Sequence, residues 1–204
     1  MMIRKGLLLV VSGPSGAGKG TICKELLERN PAINISVSAT TRNPRHGEVD
    51  GVNYHFLTKE QFEERIEDNG FIEHAKVYDN YYGTPKANVL EVLDRGEDIL
   101  LEIDIQGAMQ VRERMPEGIY VFILPPSMSE LKNRIIKRGS ETEESLNKRF
   151  SSAYQEIDFI KKYDYYIIND NLERAVTTLE SIIRAEKHRV VTDMADLIQE
   201  IKEI

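Results

Sequence analysis

The apolar run "LLLVV", Leu7 to Val11, passes almost at once into "GPSGAGKG", Gly13 to Gly20, and no other stretch limits the fold as tightly. A strand that ends in a loop so bare of side chains and reopens as a helix gathers backbone N–H groups over the positive end of a helix dipole. That arrangement holds phosphate. Gly13, Gly18 and Lys19 fit the spacing G-x-x-x-x-G-K, in which the lysine reaches the outer phosphates of a nucleoside triphosphate. Pro14, Ser15, Gly16, Ala17, Gly20 and Thr21 complete the expected cradle. Gly20 stands where such loops usually carry Ser or Thr, so the metal ligand stays open: Thr21 can touch a phosphate while water completes a Mg²⁺ shell. A bare chain reversal is the simpler alternative, but it needs neither the lysine nor a helix in register.

A strand apolar along its whole length is buried on both faces, which asks for a parallel sheet covered by helices. Leu7–Ser12, Asn34–Ser38, Ile99–Ile103, Tyr120–Leu124 and Tyr165–Ile168 have that character. Helical patterns fall between them at Lys19–Arg29, Ile105–Arg114, Glu130–Lys137 and Glu143–Lys162, then at Leu172–Arg189 and near Asp196–Lys202. Strand and helix alternate, so the fold class is α/β. Capping boxes are expected at Ser127 with Glu130 and at Thr58 with Gln61. Gly70, Gly96 and Gly139 sit where helices should stop. The pattern breaks between Asn53 and Gly83, where Tyr54–Leu57 and Phe71–Val77 alternate like half-exposed strands around a helix at Thr58–Asp68. This reads as a small inserted lobe.

Composition narrows the partners. Acidic residues exceed basic ones, 34 to 27, and a net charge of −7 argues against general affinity for nucleic acid or anionic membrane. Any anionic ligand must then be met by locally placed cations. A single cysteine, Cys23, allows no intrachain disulfide and suits the reducing cytosol; no export signal is expected. The four histidines show no metal-ligand spacing.

Such cations do cluster. In "SATTRNPRHGEVDGVNYHF", Arg42 and Arg45 lie three apart directly after a strand, and two guanidinium forks suit a phosphate monoester, with the Tyr54 hydroxyl able to join them. In "RIIKRGSETEESLNKRF", Arg134 and Arg138 are one turn apart and Arg149 returns from the next helix, so the three can close over a polyphosphate. Glu102 and Asp104 end a buried strand, where ligands of open α/β sheets gather. They can orient Mg²⁺ through water or accept from a base edge.

"GPSGAGKGT", "SATTRNPRHGE", "GFIEHAKVYDNYYGTP", "LLEIDIQGA", "KRGSETEESLNKRF" and "YIIND" follow one another as in guanylate kinases, and over roughly residues 5–190 the chain resembles a bacterial-type member of that family. The resemblance implies a P-loop NTPase-type parallel sheet flanked by helices, with an inserted mixed α+β lobe that binds GMP and a helical lid over ATP. The core would comprise residues 1–38, 84–126 and 163–204, the lobe about 39–83 and the lid about 127–162. It also implies GMP phosphate on Arg42, Arg45, Tyr54 and Tyr82, guanine on Ser38, Glu73, Thr84 and Asp104, Glu102 beside the substrate, and Asn169 bordering adenine. Guanine offers adjacent donors at N1 and N2, which an acceptor-only carboxylate such as Glu73 can take together, whereas adenine would leave it mispaired. The expected reaction transfers a phosphoryl group from ATP to GMP with Mg²⁺, Lys19, Arg42, Arg138 and Arg149 carrying the catalytic charge. A monophosphate kinase with another base preference and a non-catalytic binding module are the alternatives.

Overall fold

The alternation hidden inside the first apolar run becomes visible in three dimensions. In a computed structural model that describes residues 6–77, 79–137, 143–190 and 195–202, the chain runs β1 (Leu8–Ser12), α1 (Lys19–Arg29), β2 (Asn34–Ile35), β3 (Ala39–Thr40), β4 (His55–Phe56), α2 (Lys59–Glu67), β5 (Phe71–Val77) and β6 (Asn80–Pro85). It continues with α3 (Lys86–Asp94), β7 (Ile99–Glu102), α4 (Ile105–Arg114), β8 (Ile119–Leu124), α5 (Met128–Lys137), α6 (Glu143–Glu156) and a 3-10 helix at Ile157–Lys162. The last elements are β9 (Tyr165–Ile168), α7 (Leu172–Lys187) and α8 (Ala195–Lys202). Leu9 and Val11 pack with Ile22 and Leu26 of α1 and Val176 and Leu179 of α7, whereas Leu8 and Val10 pack with Val89 and Leu93 of α3 and Ala108 and Val111 of α4. Both faces of β1 are therefore covered, which is why its sequence shows no polar alternation.

Five strands form one sheet in the order β2-β7-β1-β8-β9, every pair parallel. Val11 pairs with Glu102, so the loop after β1 and the acids after β7 leave the same sheet edge side by side. That edge is where the strands' carboxyl ends open to ligands. A second sheet, β4-β3-β6-β5, combines a parallel β3–β4 pair with antiparallel β3–β6 and β5–β6 pairs. It has its own small core, in which Phe62 of α2 stacks on Phe71 and Tyr81 with ring centroids 4.4 and 5.4 Å apart.

The structure corrects several boundaries. The expected strand Asn34–Ser38 is divided: only Asn34 and Ile35 pair with β7, and Ala39 and Thr40 join the second sheet, leaving Ser38 at the bend between the two. Strand β6 and helix α3 have no counterpart among the expected elements, because "NYYGTP" carries turn residues and "KANVLEVLD" is short. The helix expected over Glu143–Lys162 tightens to 3-10 geometry from Ile157, a change that leaves no mark on its polar pattern. At Thr58 the capping box is complete; at Ser127 the hydroxyl accepts from the Glu130 N–H, but the Glu130 carboxylate accepts from Arg134 Nε. Helix α2 is stopped by Asn69 in the left-handed region at φ 52°, one residue before Gly70, and Gly96 at φ 77° follows α3. Gly139 lies outside the described residues.

Candidate functional site

The phosphate-loop glycines are where side chains cannot go. Gly13 has φ 145°, and a Cβ there would lie 2.3 Å from the Ile123 carbonyl oxygen. Gly18 has φ 94°, and a Cβ would meet Asn169 Nδ2 at 2.2 Å. The loop is braced from behind: Asn169, buried, donates from Nδ2 to the Ala17 carbonyl at 2.8 Å, and Arg134 reaches the Asn169 carbonyl at 2.9 Å and that of Ala17 at 3.4 Å. Arg134 thus grips the loop's backbone from outside it. Pro14 and Ala17 are buried, Ser15, Gly20 and Thr21 exposed, and Gly16 lies between Leu131 and Ile135 of α5.

Lys19, the first residue of α1, turns its ammonium back onto the loop, donating to the Gly13 carbonyl at 2.6 Å and the Pro14 carbonyl at 3.3 Å. Burial lowers its pKa from the ordinary value, with the Glu102 and Glu156 carboxylates opposing the shift. The Glu156 carboxylate also lies toward the Ser15 backbone N–H, in the neighbourhood where a phosphate would be expected. Across the loop, a Cβ on Gly20 would lie 3.3 Å from Glu102 Oε1. The missing Ser/Thr hydroxyl is therefore faced by a carboxylate oxygen, a hard donor suited to a divalent cation.

Glu102 belongs equally to the neighbouring cavity. About 240 Å³ in volume, it is lined by Ser38, Tyr54, Glu73, Tyr82, Glu102 and Asp104 together with Ala75, Val77 and Ile103. Six expected positions, drawn from five separate segments, converge on it. Glu73 of β5 is 6% exposed, and burial pushes its carboxyl pKa up to about 7 although the Thr84 hydroxyl donates to Oε1 at 2.7 Å. The nearby Asp104 carboxylate adds to the rise. Asp104 caps α4, its Oδ1 accepting from the Gly107 N–H at 2.7 Å, which leaves Oδ2 for other partners.

Beside the lining residue Tyr54, Arg42 stands 5.5 Å from its ring centroid, and the Tyr54 and Tyr82 rings meet edge on at 6.0 Å. The fork expected to grip a phosphate is already engaged, since Arg42 holds Glu48 through both Nη atoms at 3.0 and 2.9 Å. The exposed Arg45 side chain makes no hydrogen bond or ion pair among the described residues. Arg138 lies outside those residues, and Arg149 falls on α6.

Sequence reasoning assigned no role to Glu48, Gly107 or Glu156. Glu48 ends a quoted motif, but nothing in spacing says which arginine it meets. Gly107 carries a legible signal, a glycine three residues past a helix-capping Asp in "DIQG". A Cβ there would come within 2.7 Å of Glu73 Oε2. Gly107→Ala is therefore expected to displace Glu73 while helix α4 survives, since Ala is the better helix former. In steady-state assays, apparent affinity for the ligand of this cavity should fall about tenfold or more, with affinity for the triphosphate unchanged. Equal effects on both would contradict the placement.

A family model described as guanylate kinase matches residues 5–186. A guanylate kinase of Clostridium perfringens is 65% identical over 186 residues, 91% of this chain and 86% of that one. One of Clostridioides difficile is 59% identical over 203 residues, covering 100% of this chain and 99% of that one. The crystal structure of guanylate kinase from Anaplasma phagocytophilum superposes with a TM-score of 0.76 at 37% identity, covering 93% of this chain and 90% of the other.

Proposed function

The chain belongs to the guanylate kinase family, and from that premise we infer that it transfers the γ-phosphoryl group of ATP to GMP, giving ADP and GDP for guanine nucleotide synthesis and recycling. The observation that carries the reading is Glu102, which lines the purine-sized cavity and at the same time abuts Gly20 of the phosphate loop. The two binding regions share a wall. GMP then lies with its base between Ser38, Glu73, Thr84 and Asp104 and its phosphate toward Arg42, Arg45, Tyr54 and Tyr82. ATP lies with its phosphates on Gly13–Thr21 and its adenine beside Asn169.

Each part has a physical task. Glu73, ionised, accepts from guanine N1–H and N2–H through its two oxygens, and the Thr84 hydroxyl, donating to Oε1, holds the carboxylate in place. A GMP phosphate oxygen forms a bond to the γ-phosphorus in line as the bond to the β,γ-bridging oxygen breaks, and ADP departs with that electron pair. The nucleophile is already anionic, so no strong general base is needed. Lys19 leaves the Gly13 and Pro14 carbonyls for the moving phosphoryl group. Mg²⁺ would be held beside Gly20 by the Glu102 carboxylate with Thr21 nearby, where it would neutralise charge on the β- and γ-phosphates. Residues 127–162 serve as the lid, in which Arg138 and Arg149 add cations and closure expels water. The lobe at about 39–83 carries the GMP pocket.

No described helix is long and apolar enough to cross a membrane. The buried thiol of Cys23, pushed well above its ordinary pKa by burial, is unreactive and fits a cytoplasmic enzyme. Mixing the purified protein with ATP, Mg²⁺ and GMP should yield ADP and GDP in equal amounts. ATP loss without GDP would contradict the transfer.

A further inference from the structure

The turn that follows Arg42 is built around one carboxylate. Glu48 N–H donates to the Arg45 carbonyl at 3.0 Å and Gly47 sits at φ 87°, the geometry of a type II turn with glycine third. A Cβ on Gly47 would meet nothing within 4 Å, so the glycine is there for its backbone conformation and not for space. The Glu48 side chain folds back over this turn. Its Oε2 accepts from the Arg45 backbone N–H at 2.7 Å and from Arg42 Nη1 at 3.0 Å, and its Oε1 accepts from Arg42 Nη2 at 2.9 Å.

This is not an ordinary surface ion pair. Its side chains are only 15% and 19% exposed, and the contact is bidentate. Arg42 Nη1 also donates to the Asn43 carbonyl at 2.7 Å, and the guanidinium lies 5.5 and 5.9 Å from the Tyr54 and Phe56 rings. Most of its five N–H donors are thus engaged before any ligand arrives. Arg45, three residues on, has its backbone pinned by Glu48 and its guanidinium unengaged among the described residues.

We propose that Glu48 is a positioning residue for the substrate's phosphomonoester, fixing Arg42 as a preset wall and aiming Arg45 as the arm that closes on the anion. The proposal rests on the GMP reading above and deepens it. A side chain held in its bound rotamer loses little freedom when the ligand binds, whereas an unsplinted arginine must be ordered at that moment. Glu48 also anchors the backbone from which Arg45 swings, so its loss disorders both cations together. The competing idea is that Glu48 merely stands in for the phosphate and is displaced by it, in which case removing it frees a cation and tightens binding. The two predict opposite signs.

Calorimetry with GMP and with guanosine, which lacks the phosphate, separates them when combined with the KM for ATP. Glu48→Ala is expected to weaken GMP binding about tenfold or more, while guanosine binding and the KM for ATP stay within about twofold of wild type. Glu48→Gln keeps one acceptor oxygen and should fall between the two, about threefold weaker for GMP; it supplies the same comparison should the alanine variant fail to fold. Unchanged or tighter GMP binding would overturn the proposal, as would equal losses for GMP and guanosine. Wild-type protein that neither binds nor phosphorylates GMP would overturn the parent reading, and this one with it.

Discussion

Glu73→Gln is expected to cut kcat/KM for GMP by about 10²-fold or more while leaving the KM for ATP nearly unchanged, and to make the protein more stable at pH 8. The first effect follows from donors and acceptors. Guanine presents two adjacent N–H donors, and an amide can accept only one of them before its own NH₂ faces the other. The second follows from burial. A carboxyl pushed up to about 7 from its ordinary value of 4.5 binds its proton more tightly folded than unfolded between those two pH values. Its contribution to stability is therefore fully present below 4.5 and lost as pH rises through 7, a difference of about 3 kcal/mol. Glutamine does not titrate and can still accept from Thr84. The melting temperature of the variant should match wild type near pH 5 and exceed it by several degrees at pH 8; a variant less stable at pH 8 would contradict the assignment. The same titration predicts that guanosine binding to wild type weakens as pH falls below 7, where base recognition must first expel the proton.

Lys19→Met should lower kcat by about 10³-fold or more, the size of loss seen when a preorganised charge at a transferring group is removed. The substitution keeps the aliphatic stem that packs at the start of α1, so the fold should persist. Two small effects on stability oppose one another: methionine relieves the desolvation that lowers the lysine pKa, but it orphans the Gly13 carbonyl. The melting temperature is expected to stay within a few degrees of wild type. Residual activity above about one tenth would show that the ammonium does not leave its loop carbonyls for the phosphates, and the chemistry would have to be carried elsewhere.

What could be read from the sequence was local, and what could not was mostly pairing. The run Leu7–Ser12, the glycines after it and the onset of α1 at Lys19 form one continuous local signal, and the structure departs from it only in starting β1 at Leu8. Strand β6 is different, because "NYYGTP" reads as a turn until β5 and β3 supply partners on both sides. Ser38 was expected to end a strand, yet it lies at the bend where the chain passes from one sheet to the other. Arg42 and Arg45 could be recognised as a pair, but not that Glu48 would claim one of them, since spacing does not say which of several nearby carboxylates an arginine meets. Gly107 was visible as a letter and not as a necessity. Only the approach of Glu73, from a strand more than thirty residues earlier, means that a side chain at that position must push the carboxylate aside.

The central claim is that the loop around Lys19 and the cavity around Glu73 face each other closely enough for one phosphoryl group to pass between them. A compound in which guanosine and adenosine are joined through a chain of phosphates measures this directly by titration calorimetry. If the two regions share the Glu102 wall as described, it should bind about 10²-fold or more tighter than GMP or ATP alone, since the second nucleoside is captured at high effective concentration. Affinity no better than that of the tighter single nucleotide would mean that the two pockets cannot be filled by one bridged molecule, and the account would fail.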